Sequence, residues 1–422
     1  MSRSGLFRTT TPSQKASASG QNDGAKQGED DNVDQGSLLM NYITKEYELL
    51  KNVLKQLPAK DLKAASQVCR AWRSAATIIN QSRIGPHWFL WHQSIGDFGM
   101  DELPSKLFTS HVYSEPLLCL CFMTDKTCRM NIDCSSSKVP CPCGHLRRCT
   151  LSHRVVHYLR AQLSPSCPCV LAEGIGIVGT THDLSQTMEI ESKKFGYSGL
   201  LLPKIPGVVV TMFHFEKVTS LRSLFANLQE MEELTGIPPA SRPIRCLLLF
   251  SKQGQGDVLG HIVSVLQTRQ EEKIAVGGGI FKSLNLCNME NQVYRLRGTV
   301  LVGIVFSGEN VTAASTVLTS DIVDKEQVDE AMQELKACAL PTKSSLGFMF
   351  SCLGRGSIWY NEENVESASF RSYFPHTPLL GYFGNGEIGN KHLPVLDSGE
   401  KEGNGKSLAQ TAHHRCFIPT LR

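Results

Sequence analysis

The feature that most constrains the fold is an alternation of two hydrophobic patterns after Arg83. Short apolar or β-branched runs bounded by Gly, Pro or polar turns predict β-strands. They cover 117–123, 175–178, 199–202, 208–211, 244–250, 273–276, 299–306 and 346–350. Apolar residues at helical spacing predict helices, at 221–234, 260–269, 325–339 and 365–374. The alternation predicts an α/β fold of the mixed α+β kind, with sheets covered by helices.

The residues before Arg83 have the pattern of a small helical unit. Two apolar stripes at helical spacing are separated by Pro58, which cannot continue a helix. The stripes contain Leu49, Leu50, Val53, Leu54 and Leu57, then Leu62, Ala65, Cys69, Trp72 and Ala76. A unit of about 40 residues is too small to bury both stripes well. The pattern therefore predicts a hairpin that is covered by a partner, the alternative being a hairpin packed into the core of this same chain.

The stretch LLKNVLKQLPAKDLKAASQVCRAWRSAA resembles an F-box. The residues on motif positions are Leu57, Pro58, Asp61, Leu62, Val68, Cys69, Arg70 and Trp72. The resemblance implies docking on a Skp-type adaptor and, through it, on a cullin RING ubiquitin ligase core. The adaptor-binding residues it implies are Leu50, Leu54, Leu57, Pro58, Leu62, Val68, Cys69 and Trp72.

Glycine clusters follow several predicted strands in the second half of the chain. They are VGGGI at 276–280, FSGE at 306–309, SCLGRG at 351–356 and LLGYFGNGEIG at 379–389. Glycine at a strand end lets a ligand or another backbone approach closely. The phosphate-loop spacing GxxxxGK[ST] is absent, and the one approximate GxGxxG is followed by NKHLPV instead of a helix. A nucleotide site is therefore disfavoured, while a ligand loop and a catalytic turn around Glu387 stay open.

The segments GFMFSCLGRG and SYFPHTPLLGYFGNGEIG resemble parts of the C-terminal FIST domain, a sensory and signal-transduction module. The resemblance implies a two-lobed FIST module after the F-box. Its client or ligand loop would consist of Cys352, Gly354, Arg355, Gly384, Asn385, Gly386 and Glu387. An F-box followed by FIST lobes implies a non-catalytic substrate receptor of an SCF (Skp-cullin-F-box) ubiquitin ligase, which recruits client proteins for ubiquitination and proteasomal degradation. The alternative is an intracellular sensor of a small, amino-acid-like ligand without a ligase role.

The Pro-rich stretch GIPPASRP at 236–243 is the best internal domain boundary, since paired prolines end regular structure. The expected domains are a disordered tail at 1–37, the F-box at 38–83, a FIST N-terminal lobe at 84–240 with a Cys-rich loop at 124–170, a FIST C-terminal lobe at 241–395 and a flexible tail at 396–422.

Residues of the client or ligand loop have more than one interpretation. Arg355 and the turn amides would favour a reactive thiolate at Cys352, whereas its apolar neighbours favour a buried, inert thiol. Arg355 would pair with a carboxylate of a ligand or client, or internally with Glu387. General acid or base catalysis by Glu387 requires a second titratable group, and a cysteine hydrolase built on Cys352 requires a nearby histidine and carboxylate. No catalytic residue is predicted.

A cluster of cysteines lies between Cys134 and Cys169. Its spacing is C-x6-C-x-C-x5-C up to Cys149, with His145 inside it and Cys167 beyond. Thiolate and imidazole are zinc ligands, but a C-x-C pair is tighter than the usual C-x2-C. We interpret the cluster as an inserted loop and predict no metal and no cofactor.

Charge and hydropathy limit the classes of partner. Lys and Arg number 43 against 40 Asp and Glu, so there is no global field for nucleic acid or an anionic membrane. The sequence has no run of about 20 apolar residues and no apolar segment after Met1 like that of a secretory signal. We expect an intracellular protein, cytoplasmic and nuclear, without nucleic-acid or membrane partners.

Overall fold

The structure is a computed structural model that describes residues 42, 46–93, 112–133, 148–191, 194–216, 228–237, 239, 241–252, 256–290, 293–341, 344–394 and 414–421. The predicted tail at 1–37 and residues 134–147 of the predicted Cys-rich loop lie outside the described residues.

Three short helices occupy the position of the predicted F-box: α1 (Tyr47–Leu54), α2 (Ala59–Ala65) and α3 (Arg70–Ser82). Pro58 is the N-cap of α2, where its missing N–H is not needed. The turn between α2 and α3 ends at Cys69, whose extended backbone is the N-cap of α3. The prediction of an N-terminal helical unit is confirmed.

Beyond Ser82 the chain alternates strands and helices, as predicted. The strands are β1 (His87–Gln93), β2 (Pro116–Thr124), β3 (Asn131–Asp133), β4 (Arg148–Thr150), β5 (Cys169–Gly174), β6 (Gly176–Thr180), β7 (Thr187–Ile190), β8 (Phe195–Pro203), β9 (Val209–Phe215), β10 (Ile244–Lys252), β11 (Ala275–Phe281), β12 (Ser283–Glu290), β13 (Val293–Gly298), β14 (Leu301–Ser307), β15 (Val311–Leu318), β16 (Gly347–Cys352), β17 (Leu379–Gly384) and β18 (His414–Leu421). The helices are α4 (Asp125–Arg129), α5 (Leu151–Gln162), α6 (Leu228–Thr235), α7 (Gly256–Gln267), α8 (Lys325–Ala337), α9 (Ser357–Tyr360) and α10 (Val365–Tyr373). The mixed α/β class is confirmed. In the described part of the chain, no helix combines the length and hydropathy needed to cross a membrane.

Three large sheets form the body of the fold. Their strand orders are β1-β8-β2-β5-β12-β13, then β11-β10-β14-β9, then β15-β18-β16-β17-β6-β7. Each sheet contains a parallel pair, namely β2 with β5, β10 with β11 and β16 with β17. A parallel pair requires a crossover connection, and helices α5, α7 and α10 lie in these three connections.

Each large sheet takes strands from both sides of the Pro-rich boundary at 236–243. Strands β12 and β13 complete the first sheet, β9 completes the second, and β6 with β7 complete the third. The sequence cut at 240 therefore does not separate the sheets into two lobes. A strand needs backbone partners wherever they lie in sequence, which is information that a local composition change does not contain.

The central core lies between the three sheets and is aromatic. Phe122, Phe250 and Phe350 occupy matching places near the ends of β2, β10 and β16, each in the first strand of a parallel pair. Their ring centroids are 6.0 Å apart for Phe122 and Phe250, 5.8 Å for Phe250 and Phe350, and 6.5 Å for Phe122 and Phe350. Burying three edge-on rings at one point joins the sheets into one hydrophobic core.

The structure differs from the expectation of a flexible tail after residue 396. Residues His414–Leu421 form β18, which pairs antiparallel with β15 along its length and with β16 over Arg415–Phe417. Pro419 lies beyond the part that faces β16, which fits a residue without a backbone donor. The polar composition of the residues before this strand led to the prediction of a tail without regular structure.

Candidate functional site

Three of the predicted adaptor-binding residues lie inside the protein. Leu50, Leu54 and Leu62 are each 0% exposed. On α3 the buried residues are Ala75, Ala76 and Ile79, which follow the same helical spacing. These leucines stabilise the helical unit and are not accessible to a partner in this conformation.

The other predicted adaptor-binding residues remain accessible. Val68 is 60% exposed and Cys69 is also exposed, both at the turn between α2 and α3. Leu57, Pro58 and Trp72 are half-buried. The turn therefore presents apolar surface, which we call the F-box surface, made of Leu57, Pro58, Val68, Cys69 and Trp72.

A short segment before β2 fastens the helical unit to the sheet. The Val112 carbonyl accepts a hydrogen bond from the Ala59 amide at 2.9 Å. Arg83 donates to the Tyr113 and Lys55 carbonyls at 2.9 Å each. These contacts join α2 and the end of α3 to the strand that follows. The sequence did not reveal them, because residues 112–115 match no motif.

The glycines of LLGYFGNGEIG allow this chain's own backbone to approach. A Cβ added at Gly381 would lie 1.7 Å from the Met349 carbonyl oxygen of β16. The Gly386 carbonyl accepts from the Ile280 amide at 2.8 Å, and the Ile388 amide donates to the Gly278 carbonyl at 3.1 Å. The space that the sequence assigned to a ligand or partner is thus taken by β16 and the end of β11.

The seven residues of the predicted client or ligand loop come together but differ in exposure. The loop after β16 and the loop after β17 are joined by the Leu353 amide, which donates to the Gly384 carbonyl at 2.9 Å. Gly354 and Asn385 are exposed, Cys352 and Gly386 are half-buried, and Arg355, Gly384 and Glu387 are buried.

Arg355 holds this region together from inside. Its Nε donates to Glu366 Oε1 at 3.1 Å, and its two Nη atoms donate to the Thr319 and Ile322 carbonyls at 2.9 and 3.2 Å. Tyr360 donates its hydroxyl to the same Glu366 oxygen at 2.7 Å and also contacts Nη2. The internal partner of Arg355 is thus Glu366, where the sequence suggested Glu387.

Cys352 has the electrostatics of a protonated thiol. Burial raises its pKa above the ordinary value, and Glu387 acts in the same direction. The Gly354 backbone and Arg355 lower the pKa by less. These surroundings do not favour the reactive thiolate that one interpretation of the sequence suggested.

Comparison with known proteins agrees with both motifs. A family model of the F-box domain matches residues 47–80, and one of the FIST C domain matches residues 300–390. The chain thus contains an F-box domain and a FIST C domain. It is similar to F-box only protein 22 of Homo sapiens, with 29% identity over 362 residues that cover 81% of this chain and 84% of the relative. The F-box only protein 22 of Pongo abelii matches over 360 residues, with the same identity and coverage.

Among solved structures, a cyanuric acid hydrolase from A. caulinodans aligns with 80% of this F-box protein and 99% of its own chain. The identity is 10% and the TM-score is 0.34. A similarity at that level supports no conclusion about fold or function.

The FIST C domain also carries an exposed apolar surface that the sequence interpretation missed. We call it the α9 patch, made of Leu353, Ile358, Trp359 and the nearby Val323. Ile358 is 77% exposed and Trp359 39% exposed. The Trp359 indole donates to the Ile322 carbonyl at 3.0 Å and packs against the Arg355 guanidinium. The sequence SIWY, with two large apolar residues next to the predicted loop, could have indicated this patch.

Two glutamate side chains on and just after β7 position the helices of this region. Glu191 accepts from the Ser357 amide and hydroxyl at 2.7 and 2.9 Å, at the start of α9. Glu189 accepts from the Ser367 amide at 2.8 Å, at the start of α10. Neither helix has a side-chain cap of its own, so the carboxyl oxygens of the two glutamates supply the missing acceptors.

The described cysteines of the Cys-rich segment lie in or near the core. Cys169 is buried with its Sγ 3.4 Å from Cys119 Sγ, and burial raises the pKa of Cys167 to about 12. Cys134, Cys141, Cys143 and His145 lie outside the described residues, and no side-chain position is described for Cys149. Within the described ranges, no group of three or more Cys, His, Asp or Glu side chains is placed to hold a metal ion.

Proposed function

We propose that this F-box protein is the substrate-recognition subunit of an SCF ubiquitin ligase. The F-box surface binds a Skp-type adaptor, and through it the cullin RING core. The FIST region binds a client protein, which is ubiquitinated and then degraded by the proteasome in the cytoplasm and nucleus. No residue of this chain takes part in bond formation, since the thioester is carried by other subunits.

The observation that carries the proposal is the accessible apolar surface at F-box positions. Val68 projects into solvent next to Cys69, with Leu57, Pro58 and Trp72 partly accessible. Burying apolar side chains in an interface contributes about 25 cal/mol per Å². A partner that covers this surface gains that energy without any rearrangement of the buried leucines.

The contacts of residues 112–115 support a receptor that holds its client at a fixed place. Arg83 and the Val112 carbonyl tie the F-box helices to β2 of the first sheet. Ubiquitin transfer by proximity depends on a high effective concentration of client lysines beside the thioester. A rigid connection keeps that concentration high, whereas a flexible linker would dilute it.

The α9 patch and the exposed Gly354 and Asn385 are the part of the FIST C domain that we propose to contact the client. Exposed aromatic and branched side chains on a rigid support are typical of binding hot spots. Arg355 and Glu191 supply that support from below. The client would bury Ile358 and Trp359.

Adaptor binding is tested by co-expressing the full chain with a Skp-type adaptor and measuring recovery of the complex. Val68→Glu places a charge in the F-box surface, and we expect the complex to be lost. Leu234→Glu is the matched control, because Leu234 is a similarly exposed leucine on α6, outside the F-box. Equal recovery with both variants would refute adaptor binding through this surface.

Client recruitment is tested by comparing two variants that should fail at different binding steps. Val68→Glu should lose the adaptor, and Ile358→Asp should keep the adaptor but lose the client. Protein turnover is measured by mass spectrometry in cells that carry each variant. We expect both variants to stabilise the same small set of proteins. Two unrelated sets, or no stabilised protein with Ile358→Asp, would argue against the α9 patch as the client surface while leaving adaptor binding intact.

A further inference from the structure

Two histidines face each other on α5, outside the residues that match the F-box and FIST C domains. His153 and His157 are four residues apart, one turn of helix. Their Nε2 atoms are 3.1 Å apart and their ring centroids 4.4 Å apart, with the ring planes inclined by 66°. Both side chains are half-buried.

We propose that His153 and His157 form a two-histidine binding site for a Zn²⁺ ion on α5. Zinc takes imidazole nitrogens at about 2.0–2.1 Å in tetrahedral geometry, which places two such nitrogens about 3.3 Å apart. The observed 3.1 Å between the two Nε2 atoms is already close to that separation. The ion takes the place of the hydrogen between the two rings, and water completes its coordination.

The position of α5 gives the ion a structural role. The helix begins directly after β4, which pairs antiparallel with β3. Thr150 at the end of β4 caps the helix by accepting from the His153 amide at 3.4 Å. An ion that joins His153 to His157 links the first two turns of α5 to each other.

The test uses the full chain without a polyhistidine tag, stripped of metal by a chelator and titrated with ZnCl₂ in a calorimeter. We expect one Zn²⁺ bound per chain at this site, and a rise in melting temperature with zinc because the ion binds the folded state. His153→Gln and His157→Gln should each abolish this binding and this rise. Circular dichroism without zinc checks that both variants are folded, and the double variant checks that the losses are not additive.

Two control variants make the result specific. His87→Gln alters another histidine pair, since His87 and His182 pack with ring centroids 5.1 Å apart, and it should leave zinc binding unchanged. The triple variant Cys134→Ser, Cys141→Ser, Cys143→Ser removes three thiols that are zinc ligands in their own right. The proposal fails if the unmodified chain binds no zinc and the pair is only hydrogen-bonded. It also fails if binding survives both histidine variants and is lost in the cysteine variant.

Discussion

The F-box surface and the loops that follow β16 and β17 were both recognised from short sequence motifs, yet they use their residues in opposite ways. At the F-box surface, Val68 and its neighbours remain accessible to another protein. In the FIST C loops, Arg355 is bonded to Glu366 and to two backbone carbonyls, and the glycines admit strands of the same chain. The first motif leaves apolar side chains accessible at the surface, whereas much of the second forms internal packing contacts.

The difference has a consequence for mutagenesis. Changes at the F-box surface should alter binding and leave stability nearly unchanged. Changes at the buried residues of the FIST C loops should alter stability first and client binding only as a result. Measuring the free energy of unfolding together with complex formation separates the two regions.

The largest effect is expected for Arg355→Ala. Glu366 would be left as a buried carboxylate without its guanidinium partner, and two carbonyls would lose their donor. Removing one member of a buried ion pair costs about 3–5 kcal/mol. Denaturant unfolding of the purified chain measures it. The double variant Arg355→Ala, Glu366→Gln should recover part of the loss. A loss below about 1 kcal/mol is typical of an exposed ion pair and would contradict the structural role proposed for Arg355.

A somewhat smaller effect is expected for Gly381→Ala. The new methyl group would meet the Met349 carbonyl oxygen at 1.7 Å, so β16 and β17 would have to separate. Overpacking of a core costs about 1–3 kcal/mol, and the backbone here cannot move as a side chain would. Gly354→Ala is the matched control, because the nearest atom to its Cβ is Cys352 Sγ at 4.0 Å. Equal midpoints of unfolding for the two variants would contradict the close approach.

These two residues also show how far the sequence could lead. The strand character of LLGYFG and the helices of the F-box were predictable, because both depend on local hydrophobic spacing. The partners of Arg355 were not, since the Thr319 and Ile322 carbonyls lie 36 and 33 residues away. Likewise, Glu189 and Ser367 are 178 residues apart. Nothing local in TMEIE indicates that it caps helices α9 and α10.

Glu189, a buried residue that supports this region from inside, should make the stability of the protein depend on pH. Burial, and then the charge of Glu366, raise the pKa of Glu189 to about 8 from its ordinary 4.5, with Glu191 acting in the same direction. The Ser367 amide and hydroxyl oppose this. Among the described residues, Glu189 Oε2 has no hydrogen-bond partner. A proton on the carboxyl in the folded state is the simplest account.

The direction in which stability changes with pH follows from the difference in proton binding between the folded and unfolded chains. Below pH 4.5 both the folded and the unfolded chain carry the proton, and the protonated Glu189 makes its full contribution to the free energy of unfolding. As the pH rises from 4.5 towards 8, the unfolded chain releases the proton and the folded chain keeps it, so the free energy of unfolding falls by at most about 1.4 kcal/mol per pH unit. Glu189→Gln should remove this slope, making the variant more stable than the unmodified chain at pH 8 and similar near pH 4.5. Parallel curves for the two proteins would show that Glu189 is ionised in the folded state.

The smallest change in stability is expected for Val68→Glu, the substitution that should abolish adaptor binding. Val68 is 60% exposed at the turn before α3, and surface substitutions usually change the free energy of unfolding by about 0.5 kcal/mol or less. The turn itself depends on backbone contacts, in which the Val68 amide donates to the Ala65 carbonyl at 3.1 Å, and these do not involve the side chain. A normal unfolding curve together with a lost adaptor complex would therefore assign the effect to the interface. A loss of several kcal/mol would mean that Val68 supports the helical unit, and the contrast with Arg355 would no longer hold.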